Sequence, residues 1–267
     1  MTICIGAINS GGSCVILASD SMITNSYLSI EFEHHTNKMT KLSDTCIALT
    51  AGDALAHTEL FKDVQRNIYQ LKNPSFEDIK EKVKDCYQSI RQRVIKERYL
   101  KPRGFDSLQE FYEHHRHIYG DIVMGIQGQI DSYDYELEIL LAGVSNGEAH
   151  LYGIVNPGTS HCFDSIGFYA IGSGLPHALN SLIARGCHED NSLEECLLNT
   201  LEAKIMAEKA PGVGSKVTNI CMIDDSGITN LSEPQISRLR ELIWKRFKGE
   251  DGWEQEITEL IKEGENA

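Results

Sequence analysis

The first two residues of the chain, Met1 and Thr2, offer the chemistry of an N-terminal nucleophile. Methionine is normally trimmed when a small residue such as threonine follows it, which would leave Thr2 with a hydroxyl and a free α-amine. A hydroxyl needs an adjacent base, and an α-amine, which titrates near about 8, can act as that base at neutral pH. Because many proteins begin Met-Thr, this dipeptide alone is a weak indication of catalysis. The segments around Thr2 must therefore support it.

The segments that follow Thr2 predict a β-hairpin. Residues 2–8 and 13–19 are apolar and β-branched, and the Asn-Ser-Gly-Gly stretch between them predicts a tight turn. The second strand ends at Asp20. Two antiparallel strands of this length place Thr2 and Asp20 at the same end of the hairpin.

Two further residues fall where they could join this pair. Lys38 precedes an apolar strand at 45–50, and Gly52 follows that strand at the start of a helix.

This order of parts resembles the catalytic β-type subunits of the proteasome, including the bacterial HslV-like and Anbu-like relatives. The residues that carry the resemblance are Thr2 with Gly6, Asp20 with Thr24, Lys38 and Gly52. Residues 140–144 and 150–154 resemble the family's central hairpin, and Gly172-Ser173-Gly174 its turn into a helix. The resemblance covers roughly residues 2–100 and 136–230.

The resemblance implies a role for each matching residue. Thr2 would be the nucleophile and, through its amine, the base. Lys38 would supply positive charge, Asp20 would orient Lys38, and Ser173 would support the amine. The N–H of Gly52 would be the oxyanion donor, since tetrahedral intermediates need preorganised donors. The substrate-binding residues would be Thr24 for the substrate backbone and Thr50 and Ala54 for the side-chain pocket.

The chain departs from the family pattern at two places. The Gly-rich loop at 210–216 lacks the acidic residue that the family usually has there, and Ser215 is the candidate for its hydroxyl role. Met22 stands where the family often has a basic residue.

The resemblance implies an α/β (α+β) architecture, a four-layer αββα sandwich of two antiparallel sheets of the N-terminal-nucleophile (Ntn) hydrolase type. No linker-like composition interrupts the chain, so we expect a single domain at 1–267, with an insertion at about 100–135 and a C-terminal helical extension at about 233–267. Periodicity predicts helices at 53–71, 75–97, 107–119, 174–186, 192–209, 233–248 and 252–263, and strands at 122–130, 136–143, 149–155, 163–171, 217–223 and 227–231.

Composition excludes several classes of function. A net charge of −14 with no basic stripe argues against nucleic-acid binding. There is no long apolar stretch for a membrane helix and no signal peptide. The 8 cysteines form no CxxC pair, so we interpret them as reduced core residues of a cytoplasmic protein. The acidic segment at 250–267 is interpreted as a solvated helix face, with a docking tail for a neighbouring subunit as the alternative.

The histidines do not predict a metal site. On a helix, His114 and His117 share a face but His115 does not, so three ligands do not converge. His34 and His35 lie in the segment before Lys38 and are interpreted as loop residues. We therefore expect no metal and no cofactor.

The sequence thus predicts a threonine peptidase that acts on peptides or proteins through an acyl-enzyme and works as a homo-oligomer, in a ring or open ring. A partner ATPase is left open. Two alternatives remain: a non-catalytic scaffold subunit with the same fold, and an amidase that acts on small molecules.

Overall fold

Two five-stranded antiparallel sheets form the centre of the described part of the chain. The computed structural model describes residues 2–25, 30–33, 38–114, 119–249 and 253–265. The first sheet contains β1 (Cys4–Asn9), β2 (Cys14–Asp20), β10 (Phe168–Ile171), β11 (Thr218–Asp224) and β12 (Gly227–Asn230), in the order β10-β1-β2-β11-β12. The second contains β5 (Met39–Ser43), β6 (Cys46–Gly52), β7 (Leu137–Ser145), β8 (Glu148–Val155) and β9 (Thr159–Cys162), in chain order.

A separate two-stranded ribbon connects the sheets. It consists of β3 (Met22–Asn25) and β4 (Ile30–Glu33), and it stands between Asp20 and Lys38 along the chain. The sequence patterns did not predict this ribbon. His34 and His35 lie outside the described residues.

The helices fall into two groups along the chain. The first group is α1 (Ala54–Tyr69), α2 (Phe76–Ile95), a π-helical turn (Lys96–Leu100), a 3-10 turn (Lys101–Arg103), α3 (Leu108–His114) and α4 (Gly120–Asp131). The second group is α5 (Leu175–Ala184), α6 (Leu193–Ala207), α7 (Glu233–Lys248) and α8 (Trp253–Glu265).

Side-chain caps fix the starts of two long helices. At α2 the N–H of Asp78 donates to Ser75 Oγ at 3.2 Å, and the N–H of Ser75 donates back to Asp78 Oδ2 at 2.9 Å. Ser232 and Gln235 form the same capping box at α7. Such caps satisfy backbone donors that the first turn leaves unpaired, and each contributes about 1 kcal/mol.

Buried apolar clusters explain how these elements pack. One cluster lies between the two sheets and includes Cys4, Ile8, Val15 and Leu17 of the first sheet and Ile47, Leu49, Leu140 and Leu151 of the second. The opposite face of the first sheet packs with side chains of α5 to α8. The opposite face of the second sheet packs with α1 to α4. Strands that are buried on both faces read as nearly continuous apolar runs, as β1 and β2 do.

The predicted insertion and C-terminal extension both belong to these clusters. Phe111, Ile126 and Ile130 of the insertion pack beneath the second sheet. Leu239 of α7 and Ile257 of α8 pack beneath the first. Both segments therefore bury apolar surface that the sheets would otherwise expose.

Two predictions of secondary structure were wrong. The strand expected at 122–130 is the helix α4, because Ile126 and Ile130 are buried one turn apart while Ile122 and Met124 are exposed. The strand expected at 163–171 is confirmed only over its last four residues, as β10. A turn at 163–167 precedes β10, where the N–H of Gly167 donates to the carbonyl of Phe163.

The same packing buries most of the cysteines. All eight cysteines are free thiols, and Cys162 is the exposed one while the others are buried.

In the described part of the chain, no helix is both long enough and apolar enough to cross a membrane.

Candidate active site

The hairpin of β1 and β2 brings Thr2 and Asp20 to one end of the first sheet. Thr2 precedes β1, Asp20 ends β2, and the strands pair with Cys4 opposite Ser19. The N–H of Asp20 donates to the carbonyl of Ile3 at 3.2 Å, which extends the pairing to the edge of the site. The turn places Gly11 and Gly12 at φ +67° and +82°, which glycine adopts at no steric cost.

Lys38 reaches this end from the start of β5 and lies between Thr2 and Asp20. Its Nζ is 2.5 Å from Thr2 Oγ1 and 2.6 Å from Asp20 Oδ1. Thr2 is 4% exposed, Asp20 0% and Lys38 9%, so the three side chains meet with little water around them. Removing one partner of such a buried pair would leave the charge of the other uncompensated, at a cost in free energy. The ion pair therefore fixes both side chains in place.

The Asp20 carboxylate is held by four donors. Oδ1 accepts from Lys38 Nζ and from the N–H of Ile3 at 3.1 Å. Oδ2 accepts from the N–H of Met22 at 3.3 Å and of Gly214 at 2.8 Å. Backbone donors of this kind fix the orientation of a buried carboxylate.

Ser173 contacts Thr2 at its other end. The Thr2 nitrogen donates to Ser173 Oγ at 3.2 Å, and Ser173 Oγ donates to the Thr2 carbonyl at 3.4 Å. The N–H of Gly174 donates to the same carbonyl at 3.2 Å. The hydroxyl, nitrogen and carbonyl of Thr2 are therefore all held by neighbours.

A cavity of about 560 Å³ opens beside Thr2. It is lined by Thr2, Ala51, Gly52, Asp134, Glu136, Leu137, Glu138, Val155, Asn156, Gly172 and Ser173. Gly52 has a φ of +117°, and a Cβ there would lie 1.9 Å from the carbonyl oxygen of Glu136. Glycine is therefore required where β6 passes the cavity.

The cavity has acidic side chains on one wall. Asp134, Glu136 and Glu138 line it, and the described lining contains no lysine or arginine. Glu138 Oε2 accepts from the N–H of Gly172 at 2.9 Å, which joins this wall to the turn that holds Thr2.

Cys4 is not a rival nucleophile, although it lies two residues from Thr2. Burial raises the pKa of its thiol to about 12, with the Lys38 charge opposing and the Asp20 charge adding to the shift. Its Sγ donates to the carbonyl of Thr50 at 3.4 Å. A buried, protonated thiol is unreactive, so Cys4 is not a candidate nucleophile.

The remaining predicted residues have different positions. Thr50 is buried on β6 and is absent from the described lining of this cavity, where Ala51 and Gly52 stand instead. Thr24 lies on β3 and Ala54 begins α1, but their side chains lie outside the described residues. Ser215 is exposed, and the contact of its loop with Asp20 comes from the backbone of Gly214.

Sequence reasoning missed the acidic wall and the Gly214 contact. Asp134, Glu136 and Glu138 alternate with Tyr135 and Leu137. Tyr135 and Leu137 are buried, so this alternation of acidic and apolar residues could have revealed the wall. No sequence signal marks a backbone N–H as a ligand of Asp20.

We expect Gly172→Ala to destabilise the chain more than a matched glycine substitution. Gly172 has a φ of +95°, and a Cβ there would lie 2.4 Å from the Thr2 carbonyl oxygen. Gly186, at φ +61°, has nothing within 4 Å of its Cβ position. Each alanine costs about 1–2 kcal/mol for its backbone conformation. The clash should add about 1–3 kcal/mol to the Gly172 variant alone.

Urea denaturation of the two variants and the parent at one pH measures this difference. Equal losses of the free energy of unfolding in Gly172→Ala and Gly186→Ala would contradict this prediction. They would show that the turn around Thr2 rearranges to accept a Cβ at no cost in free energy.

The described residues contain no group of three His, Cys, Asp or Glu side chains placed to hold a metal ion. His114 is exposed and its Nδ1 lies 3.0 Å from the carbonyl oxygen of Glu110, while His115 and His117 lie outside the described residues.

No protein-family model and no curated protein sequence matches the chain.

Proposed function

We propose that this chain is an N-terminal-threonine amide hydrolase, a proteasome-like threonine peptidase that works as a homo-oligomer. The observation that carries the proposal is the position of the Lys38 ammonium, 2.5 Å from Thr2 Oγ1 and 2.6 Å from Asp20 Oδ1. A cation that touches a hydroxyl stabilises the negative charge that the oxygen develops as it attacks. The burial of this cation strengthens the effect, because the local dielectric is low.

The proposed reaction begins once Met1 is removed and the Thr2 nitrogen becomes an α-amine. The amine takes the hydroxyl proton, and Thr2 Oγ1 bonds to the carbonyl carbon of the substrate. The C–N bond then breaks, the proton passes to the leaving nitrogen, and an ester on Thr2 remains. Water adds to the ester and releases the acid with the Thr2 hydroxyl.

Neighbouring groups are assigned to the steps of this reaction. Gly52 lines the same cavity as Thr2, and its N–H is assigned to the oxyanion. Ser173 Oγ, 3.2 Å from the Thr2 nitrogen, is assigned to orienting the amine. Asp20 is assigned to holding Lys38 in place.

The fold supports this assignment. Two facing antiparallel sheets with helices outside each of them support the proposal of an αββα Ntn-hydrolase sandwich. The resemblance to proteasome β-type subunits also motivates the oligomer, with the outer faces of α1 and α2 as contacts. Closed homo-oligomers repeat complementary patches around an axis.

A peptide epoxyketone tests the proposal, because it closes a ring on both the hydroxyl and the α-amine of an N-terminal threonine. We expect the Met-free chain to gain the mass of one probe, located at Thr2. The probe should be neutral or basic, since Asp134, Glu136 and Glu138 would repel an acidic one.

The matched control is the same chain with Met1 retained by a blocking N-terminal tag. It should gain no probe, because its Thr2 nitrogen is an amide. An unmodified Met-free chain, or a probe attached elsewhere, would contradict the peptidase proposal and favour the scaffold alternative. Comparing peptides with small acylated amides as substrates separates a peptidase from a small-molecule amidase.

A further inference from the structure

A lysine with no exposed surface lies behind the candidate active site. Lys204, on α6, has a side chain that is 0% exposed. Its Nζ is 2.6 Å from Glu208 Oε1 and 2.9 Å from the carbonyl oxygen of Gly214. Burial lowers the pKa of Lys204, and the Glu208 carboxylate opposes that shift. A buried ammonium is tolerated only with such partners, so its position is closely fixed.

Gly214 connects this lysine to the catalytic carboxylate. While its carbonyl accepts from Lys204, its N–H donates to Asp20 Oδ2 at 2.8 Å. Asp20 in turn receives Lys38 Nζ on Oδ1, and Lys38 contacts Thr2 Oγ1. The contacts form an unbroken sequence from Lys204 to the nucleophile.

A second set of contacts connects Lys204 to the strand that pairs with Asp20. Glu208 Oε1 also accepts from Arg240 at 2.9 Å, and Arg240 donates to Thr218 Oγ1 at 2.8 Å. Thr218 is the β11 residue that pairs with Asp20 of β2. Hydrogen bonds thus connect the Lys204 ammonium to both the loop and the strand that flank Asp20.

We infer that Lys204 is a positioning residue, which holds the Gly214 loop so that Asp20 keeps Lys38 against the Thr2 hydroxyl. The inference rests on the proposed function for the reaction that it serves. The loop at 210–216 contains two glycines and no acid of its own, so its fixed position depends on contacts from other elements. A displacement of about 1 Å at a catalytic group can cost about 100-fold in rate.

Lys204→Met tests this inference, because methionine keeps the apolar stem and removes the ammonium. We expect the rate constant for acylation of Thr2 at saturating epoxyketone to fall about 10- to 100-fold. The probe concentration for half-saturation should change less than about twofold, because Lys204 does not line the cavity. Amide hydrogen exchange in peptides that cover 211–216 should become faster.

Lys80→Met is the matched control. Lys80 is also a buried helical lysine paired with an acid, Glu77, at 2.5 Å, but it lies on α2 and packs over the Tyr152 ring. It should leave both the acylation rate and the exchange at 211–216 unchanged. Thermal melting of each variant establishes that it is folded at the assay temperature.

The two readouts separate the inference from the proposed function. A parent chain that is not acylated at Thr2 overturns the proposed function, and hydrogen exchange then still decides whether Lys204 holds the loop. An acylated parent with unchanged rate and exchange in Lys204→Met overturns the inference. If that variant does not fold, Lys204→Gln is measured in the same way, and the same two changes are expected.

Discussion

Thr2→Ala is expected to abolish amide hydrolysis while the fold and the oligomer survive. The substitution removes the Oγ1 that Lys38 contacts but keeps the backbone contacts of Thr2 with Ser173 and Gly174. Loss of a nucleophile usually costs at least about a thousandfold in turnover. Peptidase assays measure the activity, and light scattering across a range of concentrations measures the assembly.

Thr2→Ser is the matched control for this result. It keeps a hydroxyl and an α-amine on the same residue, so part of the rate should remain. Undiminished hydrolysis by Thr2→Ala would show that the proposed nucleophile is wrong. A purely monomeric mass for the parent would count against the oligomer.

Lys38→Met is expected to be nearly as damaging to turnover as Thr2→Ala. It removes the only cation that contacts Thr2 Oγ1 among the described residues, and the loss of one preorganised charge-stabilising group costs about 10²- to 10³-fold. It also leaves the buried Asp20 without its ion pair, which should lower the free energy of unfolding by about 3–5 kcal/mol. Steady-state kinetics and urea denaturation measure the two effects separately.

Two further variants show which effect is catalytic. Adding Asp20→Asn to Lys38→Met removes the unpaired charge, so stability should recover in part while activity stays lost. Lys41→Met, at an exposed lysine of the same strand, should change neither quantity. Near-parental turnover in the double variant would show that Lys38 acts on stability alone.

The Thr2 end of the hairpin could be predicted because short-range patterns determine it. Continuous apolar runs on both sides of an Asn-Ser-Gly-Gly turn indicate that β1 and β2 pair, and pairing brings Thr2 and Asp20 together. The position of Lys38 followed only from the resemblance. Between it and Asp20 stands the β3–β4 ribbon, which no local pattern indicated.

The support of the site could not be predicted, since it comes from backbone groups and long-range packing. Gly214 reaches Asp20 through an N–H that every residue except proline carries, so its identity gives no signal. Lys204 has apolar neighbours, Ala203 and Ile205, and could have been noticed as a charge in that stretch of α6. Its partner Gly214, however, depends on how the loop after α6 returns to the sheet.

The helix α4 shows a different limit. Its isoleucines and valine favour a strand, and the pattern was interpreted as one. Burial of Ile126 and Ile130 against the core decided for the helix, because packing overrides weak local propensity.

The exposed thiol at the end of β9 offers a point of attachment for a fluorescent dye. Burial shields the other seven cysteines, and it raises the pKa of the Cys14 thiol to about 11 and of the Cys221 thiol to about 12. A maleimide should therefore modify Cys162 before any of the buried thiols, without any substitution of the chain. Because β9 is the outermost strand of its sheet, the emission of a dye there would report whether another subunit covers that edge.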